Sequence, residues 1–342
     1  MNLAIVALGV LMLGALAYAS RRTRRVASET RVAAAARRAP SIRTSPAPDD
    51  TTPQKQNDAE ASSAQDATSH LATTFCDVVE RYKLPPLPSA VTLAMNAMRE
   101  PDIELDRICR IIATDPALAG RIVSLSRSPL YALRRSPQTL LEATTVLGLN
   151  AARRILVTAG MDMLHKTRSP HFQQLWHHGL ATAIAAQMLA RRPNAVSSDH
   201  AYLAGLLHDI GQVVLLQSNE AHFLDCWCPT GDATAGCHAE HAAYGRDHAF
   251  IGASILYQWK IDDEIVDAVL KHHDGYEAVE AQSAVLALAD YVARRAGFGF
   301  VTEPPTPPDH VLAAYACLTD EAMAETIAEL QSAFTAELAL LR

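Results

Sequence analysis

Beyond residue 84, apolar positions recur at steps of three and four, the rhythm of amphipathic helices, and no convincing strand-like alternation appears. Ser89 is placed to cap a first helix through Val91, Leu93, Ala94, Met95 and Met98, which Pro101 stops. Leu105, Ile108, Ile111 and Ile112 mark a second within 103–114. Asp115-Pro116 opens a third, with Pro at the first helical position, carrying Leu118, Ile122, Val123 and Leu125 inward. Two more, over 138–147 and 151–163, flank the turn Gly148-Leu149-Asn150. Another runs from around Trp176 to about Arg192, and the apolar stretch Leu203–Leu216 reads as one helix with His208-Asp209 inside it. Further helices open at His248, lead from near Asp262 to His272-His273-Asp274, and set Asp290 in an apolar stripe. Past the prolines at 304–308, two terminal helices are expected at 309–317 and 319–341. The last aligns Met323, Ile327, Leu330, Phe334 and Leu338 and should pack back onto the body.

The N-terminal pattern is different. Leu3–Ala19 is an unbroken run of 17 apolar or Gly residues, about 26 Å long as a helix. That is near the lower limit for spanning a bilayer. Arg21, Arg22, Arg24 and Arg25 follow it, whereas a secretory signal carries its positive charge in front. Ala17-Tyr18-Ala19 resembles a cleavage site and is the competing reading. The charge asymmetry favours a single-pass anchor in the inner membrane with the following chain in the cytoplasm. Residues 44–70 are rich in Pro, Ser, Thr, Asp and Gln, too poor in large apolar groups to offset chain entropy, and read as a disordered tether. The expected organisation is an anchor at 1–20, a basic segment and linker at 21–70, a helical body at 71–297 and C-terminal helices at 298–342.

Charge sharpens this picture. The chain carries −7 overall, but residues 21–43 alone carry +7, leaving −14 for everything after them. So acidic a body argues against non-specific nucleic-acid binding. Six cysteines in 342 residues are no disulfide framework and suit a reducing compartment. The pairs Arg134-Arg135 and Arg153-Arg154 read as solvated helix ends.

Eleven of the 14 histidines lie between residues 171 and 273. A single one is most simply a hydrogen-bonded core residue. Asp209 and Asp290 change that balance, because a carboxylate in so apolar a helix is expensive to bury unpaired. A divalent metal would stabilise carboxylate and neutral imidazole together, and a mixed oxygen–nitrogen shell suits Fe, Mn or Zn. Cys226, Cys228, Cys237, His238 and His241 have zinc-like composition but no standard finger spacing. A loop with incidental cysteines explains them more simply.

The ordered segments LPPLPSAV, TDPALAGRIVSLSRSPLYALRR, LWHHGLATAIAAQMLA, AGLLHDIGQVVLL, EHAAYGRDHAFIGASIL and AVLKHHD resemble the HDOD family, a bacterial relative of the HD-domain phosphohydrolases. The resemblance implies an all-α HD-like bundle, with a helical N-terminal half at 84–165 and an HD-like half at 170–290. It also implies a regulatory or signalling module, in a family whose metal ligands are often degraded. Here the HD-type positions are matched by His178 (His177 as the fallback), His208, Asp209, His248, His272, His273 and Asp290. Asp209 would be central to any catalysis. The Lys that commonly follows this motif is Gln212, and the GYP loop is reduced to Asp274-Gly275-Tyr276-Glu277. These departures weigh toward a binding module, with a signalling protein or a nucleotide as partner. A metal-dependent phosphohydrolase acting on a nucleotide or cyclic nucleotide is the alternative.

Overall fold

The computed structural model describes residues 81, 87–100, 102–131, 133, 135–165, 169–191, 196–226, 233–274, 281–300, 306–315 and 319–341. Apart from residue 81, these belong to the second of two units into which the chain divides, 82–342. Leu3–Ala19 and the 44–70 segment lie outside the described residues. Among the described residues no helix is long and apolar enough to cross a membrane.

No strand occurs among the described residues, in agreement with the helical rhythm. The N-terminal half contains α1 (Ser89–Ala97), α2 (Leu105–Ile112), α3 (Pro116–Leu125), a 3-10 turn (Pro129–Tyr131) and α4 (Leu140–His165). Asp115 caps α3 by accepting from the backbone N–H groups of Ala117 and Leu118, both at 3.0 Å, with Pro116 at the first helical position. Pro88, not Ser89, is the cap residue of α1, and no side chain caps that helix. The expected pair of helices around Gly148 is found within α4 as two helical stretches joined at Gly148, which takes φ 78°, ψ 171°, a conformation open to glycine alone.

The second half follows with α5 (Pro170–Ala190), α6 (Ser198–Leu207), α7 (Ile210–Ser218), α8 (Glu220–Cys226), α9 (Ala233–Tyr244), α10 (His248–Gln258), α11 (Asp263–Leu270) and α12 (Ala281–Arg295). Helix α5 is its axis. Every residue from His178 to Ala190 is buried, as a helix apolar all round must be. It packs against α4, α6, α12 and the C-terminal helix α14 (Asp320–Leu341), which follows α13 (Asp309–Ala314). Small residues let these backbones approach closely. A Cβ at Gly205 would lie 2.7 Å from the Thr182 carbonyl oxygen, and one at Gly211 only 2.0 Å from that of His248.

The stretch read as one helix over 203–216 is two, broken at His208-Asp209, where Asp209 adopts φ −97°, ψ 15°. Adjacent residues of an unbroken helix point about 100° apart. The break allows both side chains to face the same centre. Helix α14 packs onto the body through Met323, Leu330 and Phe334, with Ile327 and Leu338 only half-buried. The stripe also contains Glu337, 1% exposed, a burial its charge did not announce.

Candidate metal centre

Side chains from α5, the α6–α7 break, the start of α10, the turn after α11 and α12 meet around Asp209. Its two carboxylate oxygens face different histidines. Oδ2 lies 3.2 Å from His208 Nε2 and 3.5 Å from His178 Nε2. Oδ1 lies 3.3 Å from His248 Nε2 and 3.9 Å from His272 Nε2, and accepts from the Gln212 amide at 3.2 Å. Asp290 Oδ1 joins the first group, 3.0 Å from His178 Nε2 and 3.8 Å from His208 Nε2. His273 joins the second, its Nε2 2.9 Å from that of His248. All seven residues singled out from the sequence are thus brought together, and all but His273 are buried. The alternative His177 packs edge-on against Phe334 instead, with ring centroids 5.6 Å apart.

Partners behind the cluster fix which nitrogen faces it. His208 Nδ1–H donates to the Gly205 carbonyl at 2.9 Å, and His272 Nδ1–H to that of Val269 at 2.6 Å. Glu240, on α9, accepts from both the Nδ1–H (2.6 Å) and the backbone N–H (2.7 Å) of His248. Each of these rings therefore turns its Nε2 lone pair inward, as metal-binding histidines do. The Arg294 Nε–H donates to Asp290 Oδ1 at 2.8 Å, one helical turn away on α12.

The electrostatics follow from this crowding. Burial opposes the charged form of Asp209, but His208, His248 and His178 outweigh it and hold the carboxyl well below its usual range. Asp290 is likewise held low against burial by Arg294 and His178. Burial would also lower His248, yet Glu240 and Asp209 raise it to about 9. Burial, reinforced by His208 and His248, holds His272 down to about 3. His273 is held well below the ordinary range by burial and by its neighbours His272 and His248.

This donor set fits a divalent cation. His208 Nε2 is fully buried, has no hydrogen-bond partner, and points at two carboxylates. Arg294 pairs with Asp290, whereas Asp209 and Glu240 face histidines. Ligand atoms of His178, His208 and Asp290 lie within 4.8 Å of one another, as do those of His208, Asp209 and His272. A third such group unites His248 and His273 with Cys237 of α9, a residue read from sequence as incidental. Burial, with the negative charge of Asp247 and Glu240, pushes the Cys237 thiol up. Glu240 and Arg294 also went unassigned. Glu240 lies in the matched EHAAYGRDHAFIGASIL segment, and Arg294 follows Asp290 by four residues. Each offset was visible, but not what each side chain meets.

The paired arginines need correction. Arg154 is 3% exposed and lies between the rings of Tyr131 and Tyr202, so it is no solvated helix end. Arg153 is partly buried and bonds Asp262 at 2.6 Å. Arg134 lies outside the described residues.

Comparison with known proteins adds the following. The family model for the HDOD domain matches residues 84–275. An uncharacterized protein of Treponema pallidum is 24% identical over 280 residues, 80% of this chain and 53% of that one. Ribonuclease Y of Fervidobacterium nodosum is 26% identical over 153 residues, 42% of this chain and 24% of that one. The chain thus spans about half the length, or less, of these relatives. Among solved structures, an HDOD domain protein of unknown function from Geobacter sulfurreducens superposes with TM-score 0.56 at 26% identity, over 78% of this chain and 96% of that one. An inferred phosphohydrolase from Shewanella amazonensis superposes with TM-score 0.61 at 20% identity, over 78% and 98% of the two chains. The second likeness is one of fold.

Proposed function

Because the chain belongs to the HDOD domain family, we propose that it is a membrane-tethered signalling protein whose HD half is a metal-dependent phosphohydrolase acting on a nucleotide or cyclic nucleotide. The sequence weighs toward a module that only binds. What moves the weight is Asp209, whose two oxygens are divided between two groups of inward-facing imidazoles. Binding alone asks for no such bridge, whereas a pair of cations clamping one phosphoryl group does.

His178, His208, Asp209 and Asp290 would hold one cation, and Asp209, His248, His272 and His273 the other, as Fe, Mn or Zn. Bound there, divalent metals supply a polarised phosphoryl oxygen and a water acidic enough to attack it. The protein's own work is orientation. The carbonyls of Gly205 and Val269 and the carboxylate of Glu240 lock three imidazoles. Gln212 steadies Asp209 Oδ1 without competing for its charge, as a lysine would. Arg294 holds Asp290 in place.

The anchor at Leu3–Ala19 and its following arginines support a single-pass placement in the inner membrane, with the body in the cytoplasm. The −14 of the chain beyond residue 43 favours a small phosphate ester, or a signalling protein, over nucleic acid. The test is elemental analysis of the full-length chain prepared without a His tag, followed by hydrolysis of bis(p-nitrophenyl) phosphate and a nucleotide panel. The expected result is about two equivalents of metal per chain. Asp209→Ala should lose them, and turnover with them by about a thousandfold or more. A well-folded protein that stays metal-free after anaerobic, metal-supplemented preparation would leave the module a binder and sink the hydrolytic reading.

A further inference from the structure

We propose that Cys237 is a thiolate ligand of the second cation position and makes that position selective for zinc. This inference rests on the metal-centre reading and goes beyond it. Helix α9 places Cys237 and Glu240 one turn apart, and neighbours three residues apart share a helix face. Both meet His248. Glu240 takes its Nδ1–H and its backbone N–H, which turns Nε2 to the other side. Ligand atoms of Cys237, His248 and His273 all lie within 4.8 Å of one another, and the thiol is in no disulfide. Asp209 Oδ1 lies 3.3 Å from His248 Nε2, and His272 Nε2 lies 3.4 Å from the same nitrogen. The fully buried His208 Nε2, 3.2 Å from Asp209 and 3.8 Å from Asp290, belongs to the same centre independently of the cysteine.

With Cys237 the second position would offer one sulfur beside imidazole nitrogens and a carboxylate oxygen, the donor types that zinc takes. The position built from His178, His208, Asp209 and Asp290 has no sulfur, and its harder shell suits Mn or Fe as well. The two positions therefore differ in softness. On binding, the sulfur releases its proton to solvent and donates a lone pair to the cation, with no change in oxidation state.

Cobalt(II) titration of the full-length chain tests this, because a thiolate on cobalt gives a sulfur-to-metal charge-transfer band in the near ultraviolet. Wild type and Cys226→Ser should show the band, and zinc should abolish it. Cys237→Ser and Cys237→Ala should lack it while still taking up cobalt at the sulfur-free position. Loss of a partner behind a ligand already weakens metal binding about 10–100-fold, so loss of the sulfur should weaken zinc at its position at least tenfold. Alkylation of wild type needs no variant: zinc should protect Cys237 and leave Cys226 reactive, as read by peptide mass. Cobalt uptake by wild type without the band, or Cys237 alkylated equally with and without zinc, would overturn the thiolate and leave the His/Asp centre standing. No uptake of cobalt or zinc at all would overturn both.

Discussion

Around Arg154, where α4 meets α6, the guanidinium lies 4.8 and 4.9 Å from the ring centroids of Tyr131 and Tyr202 and 2.9 Å from Asp199. Gln187 accepts from it with its amide carbonyl. Around Asp209, charge is buried as deeply, but His248 and His273 set ring nitrogens 2.9 Å apart, and His208 Nε2 finds no partner. In the first, protein groups answer the cation, with Arg154 Nε the only guanidinium nitrogen left without a partner. The second sets histidine and carboxylate ligand atoms together as a metal site would. The difference teaches that burial of charge does not by itself mark function. What marks it is a cluster whose donors all face one another.

The strongest way to break this contrast is Gly211→Ala. The added methyl would meet the His248 carbonyl oxygen at 2.0 Å, and neither backbone can yield without moving α7 from α10. Overpacking ordinarily costs about 1–3 kcal/mol, and a backbone clash belongs at the top of that range or above it. His248 would be displaced from Asp209, so metal content should fall along with the denaturation midpoint. Normal metal content in the folded variant would mean that the second group of imidazoles is not needed for binding.

Arg154→Ala sharpens the comparison from the other side. Removing one partner of a buried ion pair costs about 3–5 kcal/mol, and the partial exposure of Asp199 puts this site near the lower figure. Urea unfolding should show that loss while metal content and the cobalt spectrum stay unchanged. A fall in metal content in the folded protein would show that the two regions are coupled.

How far the sequence reveals each region follows from the same contrast. Helical periodicity located the elements, since apolar spacing reports which face is buried, and Asp115-Pro116 marked the start of α3 to the residue. The buried carboxylates Asp209 and Asp290 drew notice because Asp in an apolar helix calls for an explanation, and the resemblance to HD-type positions added the five histidines that the fold brings beside them. The break at His208-Asp209 was not legible, because apolar residues on both sides hide a change in backbone direction. Nor was Cys237, whose role depends on α9 packing beside His248. The Arg154 site was misread, since a charged pair near a helix turn looks the same whether solvent or two tyrosines cover it.

Glu337 makes the smallest and most conditional test. It lies 1% exposed beside Arg154 and Ser128, yet its Oε2 has no hydrogen-bond partner. Burial pushes the carboxyl up to about 7, against an opposing hydrogen bond from Ser128 and attraction to Arg154. Its ordinary value in the unfolded chain is 4.5. Below that pH both states carry the proton, and Glu337 contributes no pH dependence. Between about 4.5 and 7 the unfolded chain ionises while the folded one does not, so stability falls by about 1.4 kcal/mol per pH unit. Above 7 the penalty levels off at about 3 kcal/mol. Glu337→Gln keeps the shape and removes the titration. It should therefore raise stability by about 2–3 kcal/mol at pH 8 and by little near pH 4.5, as read from paired urea unfolding curves. An equal gain at both pH values would mean that the carboxyl titrates alike in the folded and unfolded protein, so that burial does not shift it. A loss at pH 8 would show instead that Arg154 holds Glu337 as its second counter-ion, and the arrangement around Arg154 would contain one more charge than its hydrogen bonds display.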